Sequence, residues 1–300
     1  MDIHPVIQEI HRRTQRAVMI GNARTKLALV IGGGAIRGAV SMGMLAALEA
    51  MGANSVFDDI YGASAGAANG ASFLAEQCRT HVLAYPHELA SKRFLRVTAR
   101  GLYADVGFVR DVMVDKYKLD IRRIQAHKTK LHIAATEVAS GSCTWFTNHQ
   151  EEGLTDLLMA SAALPAFYNK PVMIHGKGYL DGGIVEPLPV AKAIADGATH
   201  VLVLSTVPEG YRHEVRSKVL ERWASRRVRI HGEAFGRTFA ERQEKYNASL
   251  AIAFGRERTV LHHENILTVS PHATIPAFER SKKKIMEASW HGFAKMVEAL

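Results

Sequence analysis

A run of apolar and β-prone residues, Val56-Phe57-Asp58-Asp59-Ile60-Tyr61, enters Gly62-Ala63-Ser64-Ala65-Gly66, and an Ala-rich helical pattern follows. This pattern reads as a strand, a sharp turn and a helix, with a serine at the turn. A serine in that place is lifted out of the sheet, and its Oγ sits near the positive end of the helix dipole. Gly62 and Gly66 permit the turn because a side chain at either position would collide with neighbouring backbone. Ordinary strand-to-helix connections also use small residues, so this stretch alone leaves both a catalytic and a structural reading open.

Three hundred residues, 47% of them hydrophobic and 22% charged, suffice for a sizeable core. Cys78 and Cys143 supply neither a disulfide framework nor a metal cluster, so a reducing, cytoplasmic setting is expected. The first twenty residues carry His4, His11, Arg12, Arg13 and Arg16 without a long apolar run, and no signal peptide is expected. No run of about twenty uncharged apolar residues exists to span a bilayer. The formal charge is +9, and most of that excess falls in residues 211–300. A basic last third suits an anionic surface; it also suits a solvated helical face.

Residues 4–20 read as a short amphipathic helix with apolar points at Ile7, Ile10, Val18 and Met19. Lys26-Leu27-Ala28-Leu29-Val30-Ile31 is a strand buried on both faces, and it enters Gly32-Gly33-Gly34-Ala35-Ile36-Arg37-Gly38. A helix from Ala39 to Ala50 follows, closed by Gly52. Strand, glycine loop and helix make an anion site in principle. A dinucleotide needs an acidic residue at the next strand's end, whereas Asp58 and Asp59 precede that strand's apolar part. A nucleoside triphosphate needs the Lys-Ser/Thr of a P-loop, which is missing. The oxyanion of a tetrahedral intermediate fits a nucleophilic Ser64 at the end of the next strand.

Further on, residues 67–100 read as helical, with a basic set at Lys92, Arg93, Arg96 and Arg100. Residues 101–130 read as short helices. Leu131–Glu137 and Cys143–Thr147 are expected to be antiparallel strands, and Leu154 to Pro165 a buried helix stopped by proline. Val172–His175 and Gly178–Leu180 form a hairpin around Gly176-Lys177 that delivers Asp181-Gly182-Gly183. That aspartate is either a turn-former or a placed carboxylate. A helix from Pro187 to Ala195, a strand at His200–Ser205, long polar helices over 212–256, a strand at Ile266–Val269 and a C-terminal helix complete the chain.

Gly32-Gly33-Gly34-Ala35-Ile36-Arg37-Gly38, Gly62-Ala63-Ser64-Ala65-Gly66 and Asp181-Gly182-Gly183, in that order, resemble the patatin-like phospholipase family. The approach from Ala160 through Phe167 to Asp181 is similar as well, and the resemblance covers roughly residues 26–205. It implies a three-layer α/β/α fold with a mainly parallel central sheet and a helical C-terminal third. The domain organisation that goes with it is an N-terminal helical segment (1–24), a catalytic domain (25–210) and a basic helical region (211–300) packed on the same domain. It also implies a Ser–Asp dyad without histidine, Ser64 as nucleophile and Asp181 as base. The N–H groups of Gly33 and Gly34, with Gly32 and Ala35 beside them, would form the oxyanion hole; Gly38, Gly62, Gly66, Gly182 and Gly183 would support the site.

Ser64 is a poor nucleophile at neutral pH and needs a base, for which a partly desolvated carboxylate suffices. Arg37 is placed either to brace the glycine loop by charge-assisted hydrogen bonds or as a surface arginine of the first helical turn. A competing base is a histidine: His200, His262 and His263 lie at strand starts, but none sits in a motif. Met42, Met44, Phe73, Leu164, Phe167 and Tyr168 are available to line an acyl groove or to fill the core. The expected substrate is a phospholipid or lysophospholipid, met at an anionic membrane surface. No nucleic-acid partner, no cofactor, no metal and no calcium requirement are expected, because no acidic loop has ligand spacing. Two alternatives use the same residues: a nucleotide- or headgroup-binding module without catalysis, and an acyltransferase. Oligomeric state is left open.

Overall fold

In the computed structural model, residues 3–15, 25–98, 101–150, 153–168, 170–214 and 218–300 are described. Leu27–Ile31 (β1) is buried at every position, and its alternate side chains enter two different cores. Leu27, Leu29 and Ile31 pack with helix α2 (Gly38–Ala50), helix α3 (Ala65–Leu74) and the C-terminal helix, whereas Ala28 and Val30 face Val190, Ile194 and Leu250. A strand with period-two side chains and apolar residues at every position must be covered on both faces, and helices supply both covers.

The main sheet runs in the order β10 (Ile266–Val269), β9 (His200–Leu204), β1, β2 (Asp59–Ala63), β5 (Lys130–Glu137), β8 (Lys177–Asp181), β7 (Val172–Ile174), with β6 (Cys143–Thr147) also on β5. From β10 to β5 all pairings are parallel; β6, β7 and β8 pair antiparallel. The fold is thus α/β with a mostly parallel central sheet. One edge of β5 is taken by β6 over residues 132–136. The other edge is shared: β2 pairs up to Ala63↔Ala134, and β8 pairs from Asp181↔Ala135.

Helix α1 (Pro5–Gln15) buries Val6, Ile7 and Ile10; Val18 and Met19 lie outside the described residues. Later helices are α4 (Leu154–Ala162), α5 (Val190–Ala195), α6 (Lys218–Val228), α7 (Glu233–Ala253) and α8 (Lys282–Ala299). Residues 211–300 therefore contribute β10 to the main sheet as well as helices. Among the described residues, no helix is long and apolar enough to cross a membrane.

Two features depart from the sequence expectation. Leu95–Thr98 (β3) and Gly101–Ala104 (β4) form an antiparallel hairpin where helix was expected. Four-residue strands are too short for periodicity to separate them from helix. The turn between β7 and β8 is centred on His175 and Gly176, both at positive φ (49° and 75°), as a type I′ turn requires, and not on Gly176-Lys177.

Helix α2 is buried along nearly its whole length because α8 lies on it through two glycine contacts. A Cβ on Gly43 would run into Ser289 O, and one on Gly292 into Val40 O. Gly292→Ala is therefore expected to lower stability by about 1–3 kcal/mol through forced helix separation. Gly236→Ala, in α7 with no atom within 4 Å of the new Cβ, should raise it by about 0.5–1 kcal/mol. Urea denaturation of both variants checks the pair.

Candidate active site

The C-terminal ends of the parallel strands carry the site. The loop after β1 is held by the strand and loop that follow on its other side: Gly32 N–H donates to Leu204 O at 2.8 Å, and Thr206 Oγ1 donates to Gly33 O at 2.8 Å. Ser41 Oγ donates to Gly32 O at 2.8 Å, and Asn69 Nδ2 to Gly38 O at 2.8 Å. Tyr85, buried, donates in turn to Asn69 Oδ1 at 2.9 Å. The loop carbonyls are thereby occupied, while the N–H groups of Gly33, Gly34 and Ala35 have no acceptor among the described residues. Gly34 stands at φ 112° and Ala35 at φ 53°. Ala35 thus occupies the left-handed region at a modest cost that a glycine would avoid.

This corrects two expectations. Gly32 N–H is engaged in extending the β1–β9 ladder and has no free hydrogen for a ligand. Arg37 does not brace the loop by hydrogen bonds: its side chain packs on Gly34, and Nε is buried without an acceptor.

Ser64 follows β2 directly and caps α3 with φ 55° and ψ −128°, a conformation that costs a non-glycine residue about 1–3 kcal/mol. The glycines around it are sterically required. A Cβ on Gly62 would lie 2.6 Å from Ala67 N, one on Gly66 would strike Ile31 O, and one on Gly33 would come within 2.8 Å of Ala63 O. The glycine loop therefore lies directly on the serine turn. Ser64 N–H donates to Ser161 Oγ at 2.9 Å, a buried hydroxyl on α4. The N–H of Ala65, first residue of α3, has no acceptor among the described residues.

Asp181 is the last residue of β8 and is 3% exposed. Ser64 Oγ donates to its Oδ2 at 2.8 Å, and Gly183 N–H donates to Oδ1 at 2.6 Å. Thr136 Oγ1 donates to the Asp181 backbone carbonyl at 2.8 Å and fixes the strand end. A Cβ on Gly182 would collide with Ala134 O, so the chain can leave β8 here only as glycine. Burial pushes the Asp181 carboxyl up to about 6, against the two hydrogen bonds that favour its ionised form.

Among the described residues, no imidazole hydrogen-bonds to Ser64 Oγ or to the Asp181 carboxylate. His200, His262 and His263 stand at the N-terminal ends of β9 and β10, the opposite rim of the sheet from Ser64. Asp58 and Asp59 are at that far rim too: Asp58 accepts from Leu27 N–H and Arg13, and Asp59 pairs with His132 and Lys26. Neither can meet a nucleotide on the glycine loop.

A cavity of about 750 Å³ opens over Ser64 and Asp181. Met42, Leu164 and Phe167 line it, as expected for an acyl groove; Met44 and Phe73 are fully buried core residues, and Tyr168 is not on the wall. Much of the apolar wall, including Leu89, Phe94, Val109 and Met113, comes from residues 81–117. Ser41, Asn69, Tyr85, Ser161 and Thr206 were not singled out from sequence. The available signal was a polar residue set inside an otherwise small, apolar helix, as at Ser41, Asn69 and Ser161.

A carboxyl raised from 3.8 to about 6 penalises the folded state once it must ionise. The penalty is nil below the unfolded value, grows as pH rises between the two values, and is complete above the folded one. The stability of Asp181→Asn relative to wild type should therefore improve by about 3 kcal/mol between roughly pH 4 and pH 7.5. Denaturant titrations of both proteins at the two pH values measure that difference.

A family model described as patatin-like phospholipase matches residues 29–194. The "uncharacterized protein YjjU" of Escherichia coli (strain K12) is 30% identical over 206 residues, which cover 66% of this chain and 57% of that protein. The "uncharacterized NTE family protein Rv1063c" of Mycobacterium tuberculosis (strain ATCC 25618 / H37Rv) is 26% identical over 220 residues, 72% of this chain and 59% of that one. The chain thus spans under two thirds of the length of these relatives. The crystal structure of VipD from Legionella pneumophila aligns with a TM-score of 0.47 at 11% identity, covering 93% of this chain and 67% of that one. The family match spans more than half of the chain and contains the glycine loop, the serine turn and the Asp-Gly-Gly, so the chain belongs to the patatin-like phospholipase family.

Proposed function

We propose that this chain is a serine hydrolase of lipid acyl esters that works through a Ser64–Asp181 dyad and an acyl-enzyme. The observation that carries the reading is the 2.8 Å hydrogen bond from Ser64 Oγ to a buried carboxylate, at the floor of a large and mainly apolar cavity. Asp181 takes the Ser64 proton as Oγ attacks the acyl carbon. The carbonyl oxygen becomes an oxyanion beside the free N–H groups of Gly33 and Gly34, with those of Ala35 and Ala65 in reach of the same cavity. Fixed donors of this kind stabilise the transition state by roughly 3–4 kcal/mol each. Collapse of the intermediate breaks the ester bond, and protonated Asp181 gives its proton to the leaving alkoxide. Water then attacks the acyl-enzyme with Asp181 as base again, which returns Ser64 and releases the acid.

The raised Asp181 affinity for protons serves this cycle. A carboxylate near its ordinary value is too weak a base for a serine hydroxyl, and burial narrows the gap. Gly183 N–H keeps Oδ1 occupied, so Oδ2 faces the hydroxyl. The apolar wall suits an aliphatic acyl chain, hence phospholipid or lysophospholipid as the substrate class.

A fluorophosphonate probe should label Ser64 in the wild type and leave Ser64→Ala unlabelled. Asp181→Asn should lose turnover of a soluble acyl ester by roughly a thousandfold or more, with no single substitution of His81, His200 or His213 doing so. The wild-type kcat/KM should fall as pH drops below about 6, where Asp181 takes up its proton. Full activity in Asp181→Asn, or loss in one histidine variant, overturns the dyad.

A further inference from the structure

Phe167, on the cavity wall, is a meeting point of three chain segments. Its ring packs against Trp223 of α6 at 5.8 Å between centroids and against Phe278, ahead of α8, at 5.1 Å. Its carbonyl accepts from Ala104 N–H, at the end of β4. The β3 and α8 segments are also tied directly, because Arg280 donates to Leu95 O. Each of the three segments supplies wall residues: Leu89, Phe94 and Ala104 from the first, Glu221 and Ala224 from the second, Pro276, Ala277 and Phe278 from the third.

Each also carries exposed cations next to those wall residues. The first has Lys92, Arg93 and Arg96, the second Arg222, Arg226 and Arg229, the third Arg280, Lys282, Lys283 and Lys284. The nearby carboxylates are mostly spoken for: Asp105 faces Arg96, Glu221 holds Arg242 inside the wall, and Glu279 and Glu287 face Lys284 and Lys283. Lys92, Lys282, Arg222, Arg226 and Arg229 have no ion pair among the described residues.

Two of these clusters are not placed as helix stability alone would place them. Lys282, Lys283 and Lys284 fill the first turn of α8, where the helix dipole disfavours cations and the turn itself holds no acidic residue. At the two ends of α6, Val219 is 79% exposed and Ile230, just beyond, is 70% exposed, interleaved with the arginines. Outward cations mixed with outward aliphatic side chains on one helix are the kind of surface an interfacial helix presents.

We infer that the three segments around Phe167 form a basic collar that docks the cavity onto an anionic lipid bilayer. Lipid phosphates meet the collar cations, and Val219 and Ile230 enter the headgroup boundary. The wall segments and the collar segments are the same, so an acyl chain drawn from the bilayer passes from the docked surface into the cavity without crossing bulk water. The apolar cavity within the collar selects a lipid surface over a nucleic acid, whose phosphates would leave that cavity empty.

The test uses the full chain carrying Ser64→Ala, so binding is read without turnover. Flotation is measured on phosphatidylcholine vesicles, with and without about one third phosphatidylglycerol. Binding is expected only with the anionic lipid and should weaken as salt rises. Lys282→Glu/Lys283→Glu/Lys284→Glu and Arg222→Gln/Arg226→Gln/Arg229→Gln should each weaken it by about tenfold or more. Arg258→Glu, in the loop ahead of β10 at the far rim, should bind as the parent does. The glutamates suit the first turn of α8, and that gain offsets the loss of the exposed Lys283–Glu287 and Lys284–Glu279 pairs, so the lysine variant should keep its denaturation midpoint, which separates lost docking from lost folding. Equal binding to neutral vesicles, unchanged binding by both collar variants, no binding at all, or tighter binding to duplex DNA at equal phosphate concentration would each overturn the inference. Failure here leaves the dyad standing, and an inactive dyad leaves the collar standing.

Discussion

The shared edge of β5 is the constraint on which the rest depends. β2 runs parallel to β5 as far as residue 134, and β8 takes over antiparallel from residue 135. The last residue of β8 therefore stands beside the first residue after β2. Ser64 and Asp181, far apart in the chain, become neighbours through backbone register before any side chain is considered. A slip of one residue in β8 would turn the Asp181 side chain to the other face of the sheet. The bond from Thr136 Oγ1 to Asp181 O and the close fit of Gly182 against Ala134 hold that register. Small residues at 134 and 135 on β5 let the two chain ends approach.

That placement costs stability twice. Ser64 is held at a positive φ, and Asp181 is buried with only a hydroxyl and one N–H to stabilise its charge. Both strains are carried by well-packed surroundings: a fully buried β1, a nearly fully buried α2, and a Ser41–Asn69–Tyr85 network that ties the glycine loop to α3. The network is polar yet completely interior, so each of its members must keep its partner. It fixes the position of the loop and leaves the free N–H groups of Gly33 and Gly34 as the only unspent donors of that loop before Ala35.

What could be read from the chain follows from how local each signal is. The buried strands announced themselves through continuous apolar runs, as in Leu27–Ile31 and His200–Leu204, and glycines marked the turns where backbone approaches backbone. Ser64 and Asp181 were legible because each sits in a short motif whose glycines are sterically obligatory. The β3–β4 hairpin was not, since four-residue strands carry too little periodicity. Ser161, Thr206 and Tyr85 act across 97, 173 and 16 residues of chain, and no local pattern links them to their partners. Arg37 was not legible for a related reason: whether a buried guanidinium nitrogen finds an acceptor depends on the surrounding fold, and here Nε has none among the described residues. Gly32 likewise lost its N–H to β9, a strand far along the sequence.

The same division separates chemistry from selection. Ser64 and Asp181, the proposed reacting pair, stand at the ends of sheet strands, where register leaves them little freedom. Much of the wall that would meet the acyl chain and the headgroup comes from segments between the sheet strands, residues 81–117, 211–246 and 274–278. Those segments are helices, a small hairpin and loops, held by aromatic contacts such as Phe167 with Trp223 and Phe278 and not by the main-sheet ladder. Substitutions there change cavity shape without moving Ser64 or Asp181, because no main-sheet strand runs through them. A chain of this build can therefore keep the proposed Ser64–Asp181 centre while its wall changes from one shape to another. That is also the physical reason the motifs point to a reaction class and stay silent on the particular lipid.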